Sequence, residues 1–282
     1  MAEFDALARR FEPLWTGELA QLTAEGAPRQ RRPGGGRKGA LPTAERKLFF
    51  LLFYYKACPT QDLMGLLFGF TQGQVSAWVG RLTRTVSTLM DLHKPARTVR
   101  DPHRLLEQEP ALREVIVDGT ERRLPRPVHR GRQSHYSSGR KKRHGVKNVI
   151  VTARGTVRWV SRTRPARRHD KAVAQADRLR LPAGVTVLGD SGFAGLDPGG
   201  GTLITPWKKP RGRRLHWKRR AFNRLLSRER VAVEHTLASV KRLRMLRDEF
   251  RNRRKGLVDE VMVIGCALHN YRWSWRQEKF AA

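Results

Sequence analysis

Arg113–Thr120, REVIVDGT, decides the fold of the larger part of this chain. Val115, Ile116 and Val117 are three successive β-branched residues bounded by charged and small ones, so they predict a short buried strand rather than a helix. The strand is expected to end at Asp118 and Gly119, which leaves a carboxylate at the rim of a core. A second run of the same kind, Val185–Gly189, ends in Asp190-Ser191-Gly192-Phe193. Between them, Asn148–Ala153 and Thr156–Thr163, split by Arg154-Gly155, predict a β-hairpin, and His169–Leu181 predicts a helix. Thr202–Pro206 adds one more strand. Strands mixed with helices in this order predict an α/β domain.

Outward toward the C-terminus, Ser227–Leu246, SRERVAVEHTLASVKRLRML, predicts one long helix. Val233, Leu237, Val240 and Arg244 share a stripe at helical spacing, with Leu243 beside them, and Arg230, Lys241, Arg242 and Arg247 are expected in solvent. Glu234 is a mid-helix acid at the margin of that stripe. It has two readings: an exposed partner of Arg230 one turn earlier, or part of a site. Gly256–Arg276 predicts a closing apolar helix.

Outward toward the N-terminus the chain changes character. Phe4, Leu7, Phe11, Leu14 and Trp15 predict an amphipathic first helix, and QRRPGGGRKG at Gln30–Gly39 reads as a basic linker or arm. Helices over Thr43–Ala57, Thr60–Phe68 and Thr71–Leu92 follow, punctuated at Cys58-Pro59 and Gly69-Phe70. The last two have the outline of a helix-turn-helix, with part of a plain three-helix bundle as the alternative. In the first case Gln72, Gln74 and Ser76 would face base edges while Arg81 and Arg84 reach phosphates.

The chain carries 58 Lys and Arg against 25 Asp and Glu, a formal charge of +33 in 282 residues. Such a body repels itself unless a polyanion shares its field, which makes nucleic acid the expected partner. Arg122–Lys147 has a single chemistry, with Arg140, Lys141, Lys142, Arg143 and Lys147 among its bases and no acid, and is expected as a polyanion surface or a loop that orders on binding. Lys208, Lys209, Arg211, Arg213 and Arg214 form a second acid-free stretch, where Trp217 is the best candidate to stack on an unpaired base and Trp207 another; Trp159, alternating in a strand, is expected in the core. The longest apolar run, Leu48–Tyr55, is too short to span a membrane. Cys58 and Cys266 stand far apart in apolar surroundings, which predicts buried free thiols, no zinc site and a reducing compartment. A cytoplasmic protein associated with nucleic acid is the expectation.

Asp118, Asp190 and Glu234 are the acids beside core-forming residues. Converged carboxylates repel unless protonated or bound to a cation, and two Mg²⁺ ions about 3.5–4 Å apart would suit phosphodiester chemistry.

Five segments resemble one family in order: VDGTERRLPRP at Val117–Pro127, YSSGRKKRHGVKN at Tyr136–Asn148, the His169-Asp170 pair, LGDSGFAGL at Leu188–Leu196, and Ser227–Leu246. Together they cover most of Arg113–Tyr271 and resemble the DDE transposases of the insertion sequence five and Harbinger type. The resemblance implies a ribonuclease H-like mixed sheet flanked by helices, with the metal-binding triad at Asp118, Asp190 and Glu234 and an auxiliary role for His169 and Asp170. It further implies two Mg²⁺, with Mn²⁺ able to substitute, and N-terminal helices that bind double-stranded DNA at the element ends. Arg230 and Lys241 would hold phosphates beside the scissile bond. The expected division is 1–40 for the first helix and linker, 41–100 for the helix-turn-helix region and 101–282 for the DDE domain. The expected activity is nicking of the terminal inverted repeats and joining of the 3′-OH to target DNA, in a homodimer or larger synaptic complex and with no membrane. A metal-dependent nuclease or resolvase on the same fold, and a non-catalytic DNA-binding regulator, are the alternatives.

Overall fold

The computed structural model describes residues 2–17, 27–28, 30, 39–95, 112–139 and 141–281. Most of the expected linker at Gln30–Gly39, and Arg140, lie outside the described residues. The chain forms two compact units: Met1–Lys94 with Lys241–Asp248 and Arg254–Ala282, and Pro95–Val240 with Glu249–Arg253. The last helix counts with the first unit.

The first unit is helical: α1 (Ala2–Thr16), α2 (Ala44–Ala57), α3 (Gln61–Phe68), α4 (Gln72–Leu89), and two later helices. Each of α2, α3 and α4 starts where a threonine can satisfy an orphan amide. Thr43 accepts from the Arg46 N–H and Thr60 from the Leu63 N–H; at Thr71 the cap is reciprocal, with the Gln74 side chain returning to the Thr71 N–H. Leu48, Leu51, Tyr55, Met64, Val79 and Leu82 fill the core between these helices. The Thr83 hydroxyl donates to the Val79 carbonyl at 2.6 Å, so the buried Tyr55 hydroxyl is the donor in its 2.8 Å bond to Thr83. Cys58 and Cys266 are buried thiols that form no disulfide, as expected. Among the described residues no helix is long and apolar enough to cross a membrane.

The second unit is mixed α/β. Its strands are β1 (Glu114–Arg123), β2 (Ser137–Ser138), β3 (Arg143–Ala153), β4 (Thr156–Val160), β5 (Arg164–Pro165), β6 (Thr186–Leu188) and β7 (Thr202–Ile204); its helices are α5 (Arg130–Tyr136), α6 (Asp170–Ala176) and α7 (Trp217–Val240). Antiparallel β3 flanks β1 on one side, with β2, β4 and β5 each paired to β3. Parallel β6 and then β7 lie on the other side. This mixed sheet with flanking helices is consistent with a ribonuclease H-like fold. The β3–β4 hairpin turns at Arg154-Gly155, both at positive φ (48° and 76°), the twist that suits a two-residue hairpin. Val115, Val117, Val149, Val151, Trp159, Val173, Val187 and Phe193 form the core on one sheet face, so Trp159 is interior as expected.

Several expectations change. The strand expected to end at Asp118 continues to Arg123, because β3 pairs with it through Gly145 after β6 has stopped opposite Ile116. Arg122–Lys147 is neither a loop nor uniformly surface: it holds α5 and the start of β3, and Arg122 is 1% exposed, donating to Asn148 Oδ1 at 2.7 Å and Thr163 at 3.1 Å. The helix expected over Ser227–Leu246 begins earlier, at Trp217, and stops at Val240. Extended backbone at Leu243 then precedes α8 (Arg244–Arg247), where the chain has passed into the first unit. There Arg244 pairs with Asp248 at 2.7 Å instead of continuing an apolar stripe. Finally α9 (Leu257–Ala281) packs against α4.

Candidate active site

Side chains alternate along β1, so Asp118 points to one sheet face and Gly119 to the other. Asp118 faces α7, whose Arg230 guanidinium stands 3.6 Å from Asp118 Oδ1, both side chains about one-fifth exposed (19% and 20%). Asp190 follows β6 and caps its own turn, accepting from the Gly192 N–H at 2.8 Å. Its charge acts on Asp118, as does that of Asp170. Burial is the main cause that pushes the Asp118 carboxyl above its ordinary value; the Gly119 amide and Arg230 oppose it, and Asp190 and Asp170 add to it.

Asp170, the first residue of α6, approaches β1 from the opposite face. A Cβ on Gly119 would lie 2.5 Å from Asp170 Oδ1, and one on Gly192 would lie 3.5 Å from Asp170 Oδ2. Glycine at 119 is therefore what lets the carboxylate settle against the strand backbone, one residue from Asp118. The Asp170 charge is held by Lys147, whose Nζ is 3.0 Å from Asp170 Oδ1, 3.5 Å from Glu121 Oε1 and 2.9 Å from the Arg168 carbonyl. The Arg168 carbonyl takes the hydrogen bond, while the two carboxylates are ion-paired to the ammonium and Asp170 Oδ1 has no hydrogen-bond donor of its own. Glu121 also receives the Ser138 hydroxyl at 3.1 Å and Lys141 at 3.8 Å, so its partners come from β2, the turn after it and β3.

Of the expected triad, the fold brings Asp118 and Asp190 together, with Asp170 beside them. Glu234 stands exposed on α7, one turn beyond Arg230. Among the described residues no three His, Cys, Asp or Glu side chains lie close enough to cage a metal unaided. His169 precedes α6 without a side-chain cap. Lys147 is buried with its ammonium on carboxylates, whereas Lys142, Lys208, Lys209, Arg211, Arg213 and Arg214 are exposed, as is Lys141, and Arg143 is half-buried. In the helical unit Gln74 is occupied by the α4 cap and Gln72 donates to Gln61, while Ser76 is half-buried. Arg81 lies over the Trp15 and Trp78 rings at 5.0 and 5.3 Å, and Arg84 is half-buried. Lys241 falls in the turn after α7.

Sequence reading missed the Lys147 bridge and the pressure of Asp170 on Gly119. The available signal was Gly119 itself, since a glycine inside a strand marks a close approach.

The donors present are hard carboxylate oxygens around an excess of negative charge that one guanidinium only partly offsets. That chemistry fits a Mg²⁺-type ion, which takes one or two carboxylates and completes its shell with water and substrate phosphate. Without metal, the raised Asp118 carboxyl has a stability consequence. The native state keeps this proton at pH values where the unfolded chain has released it, so stability is lost as pH rises from 3.8 through the raised folded value. In chelator, Asp118→Asn is expected to raise the melting temperature near pH 7, and the gain should vanish below the ordinary carboxyl value. An unchanged melting temperature at pH 7 would contradict the assigned environment.

Residues 117–270 match the family described as DDE superfamily endonuclease. The chain is also similar to the probable transposase for insertion sequence element IS702 of Microchaete diplosiphon, 24% identical over 248 residues, covering 87% of this chain and 86% of that protein. No solved structure matches.

Proposed function

Because the chain belongs to the DDE superfamily endonucleases, with Asp118 and Asp190 converging beside β1 and β6, we propose that it is a DNA transposase that cuts and joins strands at this site. The observation that carries the reading is the convergence of these two acids in a chain of formal charge +33, a body suited to polyanions that keeps carboxylates where a cation would relieve them. Asp118 and Asp190 would hold divalent metal, Mg²⁺ first. Glu234 would be the third carboxylate, since it leaves α7 one turn after Arg230, which already reaches Asp118. When bound, the metal polarises the phosphorus and stabilises the attacking and leaving oxygens.

The protein's own groups have separable duties. Asp118 and Asp190 fix where the scissile phosphate can sit, and Lys147 holds Asp170 and Glu121 so that neither competes for the cation. Arg230 pairs with Asp118 and, with a cation on that carboxylate, would be free to bind a phosphate oxygen. The exposed bases of the 208–214 segment hold the strand. In the helical unit, α3 and α4 form the proposed reader of the inverted repeats, with Ser76, and Gln72 once it leaves Gln61, toward the bases.

The test supplies the full chain with DNA bearing its flanking inverted repeats, Mg²⁺ and a target plasmid. Joining of a 3′ end to the plasmid is expected. Cleavage without joining assigns a nuclease instead, and binding with neither overturns the enzymatic reading.

A further inference from the structure

Three residues after β7 the chain presents Trp207, 51% exposed, at the same sheet edge where Asp190 leaves the adjacent parallel strand β6. A large aromatic left half in solvent is ordinarily free to move, but this one is held. The Asn223 side-chain amide grips its backbone from both sides: Oδ1 accepts from the Trp207 N–H at 2.9 Å, and Nδ2 donates to the Trp207 carbonyl at 3.0 Å. The Arg219 guanidinium lies 4.2 Å from the ring centroid, a cation–π contact that fixes the ring plane. Trp217 is more exposed, at 62%, with Lys218 5.6 Å from its ring and the tilted His216 ring at 5.9 Å, and among the described residues no side chain is seen to clamp its backbone.

A ring pre-ordered in this way loses little entropy when a flat partner stacks on it. The surroundings specify that partner's charge: no acid occurs between Asp197 and Glu229, and Lys208 and Lys209 follow the tryptophan directly. A flat π-system attached to a polyanion is a nucleobase, and only an unpaired base can offer its face.

We propose that Trp207, clamped by Asn223 and Arg219, is a stacking platform for an unpaired base of the DNA strand that passes the carboxylates, an inference that rests on the nucleic-acid reading of the site. Its position along the strand follows from α7. Arg219, Asn223 and Arg230 recur at i, i+4 and i+11 on one helix face. Asn223 and Arg230 are seven residues apart, about 10 Å of rise at about 1.5 Å per residue. At about 3.4 Å per nucleotide of strand, the stacked base lies about three nucleotides from the phosphate at Asp118.

The experiment uses the full chain in chelator, so that no strand is cut, and measures anisotropy of a labelled oligodeoxythymidylate and of a blunt duplex of equal length. Trp207→Ala is expected to weaken single-strand binding about 5- to 150-fold, the range for loss of one stacked base, and duplex binding less than about twofold. Trp207→Phe should restore the single-strand affinity to within about threefold. Asn223→Ala should weaken single-strand binding in the parent protein and have no further effect with Trp207→Ala, which marks Asn223 as a positioning residue. Equal loss on both DNAs, or no loss on either, overturns the proposal. Intact stacking in a protein that neither cuts nor joins DNA would sink the transposase reading and leave this one standing.

Discussion

Asp118→Asn is expected to lower DNA cleavage at least about a thousandfold while end binding stays within about threefold of the parent. The substitution keeps the shape of the side chain and removes the charge that sits beside Asp190 and 3.6 Å from Arg230. Loss of a carboxylate that positions a cation at the phosphorus removes several kcal/mol of transition-state stabilisation, and about 4 kcal/mol is a thousandfold in rate. Binding should not suffer, because one negative charge fewer only favours a polyanion. Asp190→Asn should behave alike. Glu234→Gln is the informative third member: its carboxylate is exposed and outside the Asp118–Asp190–Asp170 group, so a comparable loss is required if it is the third ligand. Full cleavage by Glu234→Gln, with loss in Asp170→Asn, would move the third role to Asp170.

The second large effect concerns stability. Lys147 is 7% exposed and its ammonium serves two carboxylates and a carbonyl; Lys147→Met leaves Asp170 and Glu121 without it. Removing one partner of a buried pair costs about 3–5 kcal/mol, which for a unit of this size is a fall of roughly 6–20 °C in melting temperature. Chemical denaturation of the full chain, followed by a probe in the sheet, measures it. Adding Asp170→Asn to Lys147→Met should recover part of the loss. Had Lys147 contacted a phosphate, its removal would spare stability and reduce the salt dependence of DNA binding by about one counterion; the expected salt dependence is that of the parent.

The strands around the site were legible because β-branched runs at Val115–Val117 and Val185–Val187 have no helical alternative at that length. The starts of α2, α3 and α4 were legible through their threonines, since a cap is a local bargain between residues three apart. What sequence could not show depends on distant partners. Arg122 looks like any surface arginine until Asn148 and Thr163 arrive from 26 and 41 positions away. Likewise nothing near Trp207 announces Asn223, 16 positions later, whereas Trp217 stood out merely for its basic neighbours. The true length of α7 was hidden because its stripe of apolar residues runs on past Val240 although the chain there changes unit. Asp118, Asp190 and Glu234 all stood out as acids beside core-forming residues, and reading them as one triad rested on resemblance.

The face of α7 that bears Asn223 and Arg230 has one further consequence. A loop between two contacts lets their separation drift, but an unbroken helix makes that separation a length standard, set by backbone hydrogen bonds rather than by side chains. The protein thus carries its own ruler between the held indole and the carboxylate. Sequence on the outer side of α7 is free to vary without altering the measure, while a single residue gained or lost between 223 and 230 would rotate one end of the gauge away from the other by about 100°.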